Sequence, residues 1–164
     1  MKKFLQFSGL IAAALALAAF IFLLAGNGLV YRYNNSASYI PGTIVIFGGD
    51  LKGLITITCK PAATALIAWI FVLLSMLALI AVFVLPLLKV KALDKFAGLI
   101  TLCAAGLLLI AAILIFCSKA AFVGANNAFD DYGLTFAFVF AGILSILAAG
   151  VAALPACMNL LGKK

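Results

Sequence analysis

Four stretches of at least twenty residues, at 4–25, 62–85, 96–117 and 134–153, contain no Asp, Glu, Lys or Arg. No other feature constrains the fold as strongly. A helix rises about 1.5 Å per residue and the hydrocarbon core of a bilayer is about 30 Å thick, so about 20 apolar residues cross it. In lipid a crossing segment must satisfy its own backbone polar groups, which a helix does. The polar side chains within the stretches are few, among them Gln6, Ser8, Thr64, Ser75, Thr101, Thr135 and Ser145. The hydroxyls can bond back to carbonyls of their own helix. Composition agrees: the 164 residues are 68% hydrophobic and 9% charged, whereas a soluble domain is about half apolar and a quarter charged. So few charges cannot cover a water-facing surface, which excludes a soluble enzyme, a disordered tail or a collagen-like fibre. The expectation is a single membrane domain of all-α class, a four-helix transmembrane bundle surrounded by the lipid bilayer.

Local chemistry punctuates the spans. Pro61 suits the first turn of the second span, where its missing N–H costs nothing. Asp94 before the third span and Asp130 and Asp131 before the fourth fit N-caps that complement the helix dipole. Pro86 and Pro155 read as stop signals. Orientation follows from the basic residues. Lys2, Lys3, Lys89, Lys91, Lys95, Lys163 and Lys164 fall on one side; Arg32, Lys52, Lys60 and Lys119 fall on the other. The excess of Lys and Arg predicts that both termini and the inner loop 86–95 are cytoplasmic, in a cell membrane. The apolar run after Met1-Lys2-Lys3 is longer than the roughly 7–15 residues of a secretory signal core, so it is expected to remain as the first span.

The outer loops hold most of the sequence variety. In the first, 26–61, Leu29–Tyr33 reads as a strand. Thr43–Phe47 and Leu54–Thr58 are rich in β-branched residues and are joined by a glycine-containing turn, which predicts a β-hairpin over 43–58, extended to a small sheet. Asn34-Asn35-Ser36 and Pro41-Gly42 read as turns. A lone hairpin is marginal in water, so this one must lean on the bundle, the second outer loop or another protein. The second outer loop, 118–133, carries Phe122, Phe129, Asp130, Asp131 and Tyr132. They suit either an interfacial aromatic belt or, together with Phe47, a docking surface for a partner.

Of the four cysteines, Cys59 and Cys117 both fall at the outer ends of spans, in the oxidising compartment. They could form a disulfide or remain two ordinary thiols; Cys103 and Cys157 lie toward the cytoplasm. The chain has no His and no Glu. It also has no C-x-x-C pair and no phosphate-binding glycine loop. Neither a catalytic constellation nor a metal or cofactor set is legible, and the basic residues are too few and dispersed for nucleic acid. Intramembrane ionisable groups, the usual mark of mechanism in small membrane enzymes and transporters, are missing. Small residues at Ala137, Ala141, Ser145 and Ala149 form a stripe on the fourth span. Ala12, Ala16 and Ala19 form one on the first. Such stripes suit close helix packing, within one chain or between copies.

The layout of cytoplasmic termini, a long β-rich first outer loop and a shorter second one resembles the claudin-type tetraspan plan. That family's first loop carries W-…-G-L-W-x-x-C-…-C. Here Gly53-Leu54 precedes Cys59 at a different spacing, the loop has no Trp and no second Cys, and an adhesive role does not carry over. Thr43–Gly48 and the Ala-, Ile- and Leu-heavy spans are also similar to small four-span bacterial membrane proteins of unknown function. The expected function is therefore non-enzymatic contact with a membrane-protein partner or another copy of the chain, as scaffold or accessory subunit, through the outer loops. The alternative is an oligomeric channel or small-solute transporter.

Overall fold

The computed structural model describes residues 2–33, 36–51, 56–87, 96–127 and 131–161. In chain order its elements are α1 (Lys2–Ala25), β1 (Asn27–Tyr33), β2 (Ser36–Pro41), α2 (Gly42–Phe47), β3 (Gly49–Leu51), β4 (Ile57–Cys59), α3 (Ala63–Leu87), α4 (Ala97–Phe116), α5 (Ser118–Asn126), β5 (Tyr132–Leu134) and α6 (Phe136–Leu161). Among the described residues, four helices are long and apolar enough to cross a membrane, over Phe7–Ala25, Ala63–Val84, Ala97–Phe116 and Phe136–Pro155. They match the four expected spans. Helix α1 packs chiefly on α3 and α6, and α4 on the same two. The long helices thus form a square in which each neighbours its antiparallel partners.

The interior of the square is built from small side chains. Ala12, Ala16 and Ala19 of α1, Ala65 and Ala68 of α3, Ala111 of α4 and Ala141 and Ala148 of α6 are fully buried. The bulk points outward: Ile21, Leu74, Ile113 and Leu147 are 52%, 49%, 63% and 53% exposed. A bundle in water buries its large apolar residues. Here the arrangement is reversed, as it is where backbones approach through small residues and the outside is apolar. Gly142 shows how tight the fit is: a Cβ there would lie 2.7 Å from the ring of Phe116.

The helix ends depart from expectation at two prolines and an aspartate pair. Pro155 does not stop α6, which continues to Leu161 with the proline inside it. Membrane helices tolerate this where neighbours and local adjustment compensate for the missing bond. Pro86 likewise falls inside α3 rather than beyond it. Asp131 does not cap α6, because β5 intervenes and Thr135 stands at the helix entrance. Asp94 and Asp130 lie outside the described residues.

The loops after α1 and before α6 combine into one antiparallel sheet of order β2-β1-β5; β3 and β4 form a separate pair. In the larger sheet Leu29 faces Ile40 and Tyr31 faces Ser38 across β1 and β2, while Tyr31 faces Tyr132 across β1 and β5. The expected strand at Leu29–Tyr33 is present. The expected hairpin over 43–58 is not, because Thr43–Phe47 lies in α2. The physical reason is burial at helical spacing: Gly42, Val45 and Ile46 face inward together, a pattern of i, i+3 and i+4 that a strand would split between two faces. Gly48, at φ 75°, ends the helix and its N–H donates to Ile44 O at 2.9 Å, a glycine C-terminal stop. The segment read as a turn instead contributes β3, whose Gly49–Leu51 pairs with Ile57–Cys59.

Candidate functional site

The cap over one end of the bundle is the part of the molecule where polar, aromatic and titratable groups meet. It is fastened to all four long helices. Gly42 N–H donates to Gly26 O at 2.8 Å, tying α2 to the end of α1. The fit allows nothing larger than hydrogen at Gly42, since a Cβ would lie 2.1 Å from Leu23 O. Ala62 N–H donates to Val45 O at 2.8 Å, tying the start of α3 to α2. Thr135 fixes the start of α6: its N–H donates to Gly28 O at 3.2 Å, and its hydroxyl donates to Asn27 O and Gly28 O. Cys117 joins α4 to α5 with helical backbone angles, and the buried Ser118 hydroxyl donates to Leu114 O at 3.0 Å across that joint.

Asn126 closes the remaining side. Its Oδ1 accepts from Lys60 N–H at 2.7 Å, and its Nδ2 donates to Lys60 O at 3.1 Å and Phe122 O at 3.0 Å. One amide thus ties α5, from the second loop, to the strand-to-helix joint before α3. It satisfies backbone groups that neither element pairs by itself. Sequence reasoning missed Asn126, and no local pattern marks it.

At the centre of the cap Tyr132 lies 5.0 Å from Tyr31 and 5.9 Å, edge-on, from Phe122, ring centre to ring centre. Phe122 is 1% exposed, so it is a core residue of the cap and not part of an interfacial belt. Burial raises the Tyr132 phenol above its ordinary value, with Cys59 and Tyr31 adding to the rise. Burial also raises the Cys59 thiol, with Asp50 adding repulsion. Both effects penalise the charged form and keep the thiol protonated, the opposite of what arms a nucleophilic cysteine. Asp50 accepts a hydrogen bond from the Thr58 hydroxyl at 2.7 Å across β3 and β4.

The candidate disulfide does not form: Cys59 and Cys117 are both free thiols. Cys59 closes β4 with its side chain turned inward, whereas Cys117 at the α4–α5 joint is exposed. Cys103 is exposed on the flank of α4, and the side chain of Cys157 lies outside the described residues. Of the expected docking residues, Phe129 and Asp130 also lie outside them. Asp131 is exposed and Tyr132 half-buried. Phe47 is 49% exposed and sets its ring edge-on to Trp69 at 5.1 Å. Trp69 stacks in turn on Phe20 at 5.6 Å. The tryptophan therefore seals the seam between α1, α3 and the cap and is not buried filler; its Nε1 is inaccessible and unpartnered.

The structure places the small-residue stripe inside the bundle. Ala141, Ser145 and Ala149 are buried, and the Ser145 hydroxyl donates back to Ala141 O at 2.9 Å. Ala137 packs so closely on Gly26 that a Cβ at Gly26 would lie 2.3 Å from its own. The stripe thus serves packing within one chain. No known family model matches the chain, and no curated protein matches it.

Proposed function

We propose that this chain is a non-enzymatic, multi-pass protein of the cell membrane that acts by contact, as a scaffold or accessory subunit. Its termini are cytoplasmic and its cap lies outside. The excess of Lys on the side of the termini and the inner loop supports this orientation. The outward-facing bulk of the four helices supports insertion, since lipid tails solvate such surfaces and water does not.

One observation carries the functional reading. Strands from two loops separated by most of the chain combine in one sheet, clamped to every long helix, and leave Phe47 and Asp131 exposed beside it. A platform held this firmly presents side chains at low entropic cost on binding. The test is recovery of partners from mild detergent, identified by mass spectrometry, for the wild type and for Phe47→Ala and Asp131→Ala. Loss of specific partners from either variant is expected. Unchanged recovery would overturn the reading, as would solute flux through liposomes containing the purified chain.

A further inference from the structure

Strand β2 is an edge. In an antiparallel sheet alternate residues turn their N–H and C=O to opposite neighbours. Among the described residues β2 has a neighbour, β1, on one side only. Its other side therefore presents a row of main-chain donors and acceptors. Proteins usually blunt such an edge with charge, an internal proline, a bulge or a cover. Here Ser36, Ala37, Ser38 and Tyr39 are all exposed, on both faces of the strand. The chain carries no charged residue from Tyr33 through Gly49. Proline comes only at the last position, Pro41, and the register irregularity lies at that same end, between Asn27 and Leu29 of the neighbouring strand.

We propose that this edge pairs with β2 of a second copy of the chain, antiparallel and about a two-fold axis, joining the two caps into one continuous sheet. The inference deepens the contact reading above and rests on it. An extended edge is recognised by another extended edge, and a copy supplies the same six-residue strand without a like charge to oppose it. Two copies anchored by the same four spans hold their caps at the same height above one membrane, so the edges meet without further assembly. The opposite edge does not continue the series. Strand β5 is only three residues long, and Tyr132 at its start is engaged by Phe122 of α5. A two-fold pair therefore closes and does not grow into a filament.

The test uses the full chain in native membranes, with Cys59, Cys103, Cys117 and Cys157 replaced by Ala. Single cysteines are placed in turn at Ser36, Ala37, Ser38 and Tyr39, and cross-linked dimer is measured after mild oxidation. In a two-fold pair only positions near the axis oppose themselves, so the yield should peak at one residue or an adjacent pair. The peak should stand at least about tenfold above Thr43→Cys, an exposed position on α2. A flat or empty profile would overturn the pairing. A second measurement avoids the cysteine replacements: the wild type in mild detergent should have the mass of two chains and Ser38→Lys that of one. A wild type with the mass of one chain would overturn it. Loss of partners on Phe47→Ala alongside a flat profile would overturn the pairing and leave the contact reading standing; failure of both would remove both.

Discussion

Asn126 ties two loops together with a single amide, so its replacement should loosen the cap without touching the bundle. Asn126→Ala removes one acceptor and two donations to backbone groups. Each hydrogen bond is worth about 0.5–1.5 kcal/mol net, and water can replace part of these exposed ones, so the expected loss is about 1–2 kcal/mol. The thermal midpoint in detergent should fall, and the Lys60 amide should exchange hydrogen faster. Asn126→Asp keeps the acceptor and loses the donors, and should fall between. The titrating pair gives a second prediction. Cys59 and Tyr132 both have pKa values raised in the folded cap, by burial first. A raised value means that the folded state holds the proton more tightly. That stabilisation is fully present below the ordinary thiol and phenol values and is lost as pH rises through the raised ones. The cap should hold at neutral pH and loosen on alkaline titration. Cys59→Ala should flatten the earlier part of the curve and Tyr132→Phe the later part. A midpoint that stays constant far into the alkaline range would contradict the burial argument. Neither Asn126 nor the environment of Cys59 was legible beforehand, because both depend on partners that the chain brings from a distant loop.

At the scale of elements, two glycines of equal standing in the sequence separate sharply in the structure. At Gly42 an added Cβ would meet two backbone oxygens, Leu23 O at 2.1 Å and Gly26 O at 2.9 Å, whereas at Gly106 it would meet nothing within 4 Å. Backbone cannot swing aside as a side chain can. Gly42→Ala should therefore cost more than about 2 kcal/mol and detach α2 from α1. Gly106→Ala, on an open helix flank, should be neutral or stabilising by up to about 1 kcal/mol. Paired melts of the two variants in one detergent check the contrast. The same comparison explains what was legible. The long helices were, because twenty uncharged apolar residues have few alternatives. Strand β1 was, because its alternation is local. Segment 43–47 was misread because β-branched content favours a strand only weakly, while burial of Val45 and Ile46 on one side decided for helix. Strand β5 was invisible, since three residues acquire extended geometry only by pairing with β1 more than one hundred positions earlier.

For the whole molecule the deciding question is what surrounds the four long helices, and α4 carries two exposed thiols that ask it directly. Cys117 stands at the cap end of α4 and Cys103 on its flank, about 21 Å apart along the axis at about 1.5 Å per residue. Exposure means different things at the two positions if a bilayer encloses the bundle. Cys117 then meets the outer aqueous boundary, while Cys103 meets acyl chains that neither hydrate a thiolate nor admit a charged reagent. In single-cysteine variants expressed in intact cells, a membrane-impermeant maleimide should modify Cys117 readily and leave Cys103 unmodified until the protein is denatured. Equal modification of both in intact cells would mean that water reaches the flank of α4, and the outward-facing Leu and Ile side chains would then need another cover. Modification of Cys117 only after the cells are opened would keep the membrane but invert the chain. The Lys excess at the termini would then no longer set its direction, and the cap, with the β2 edge, would face the cytoplasm.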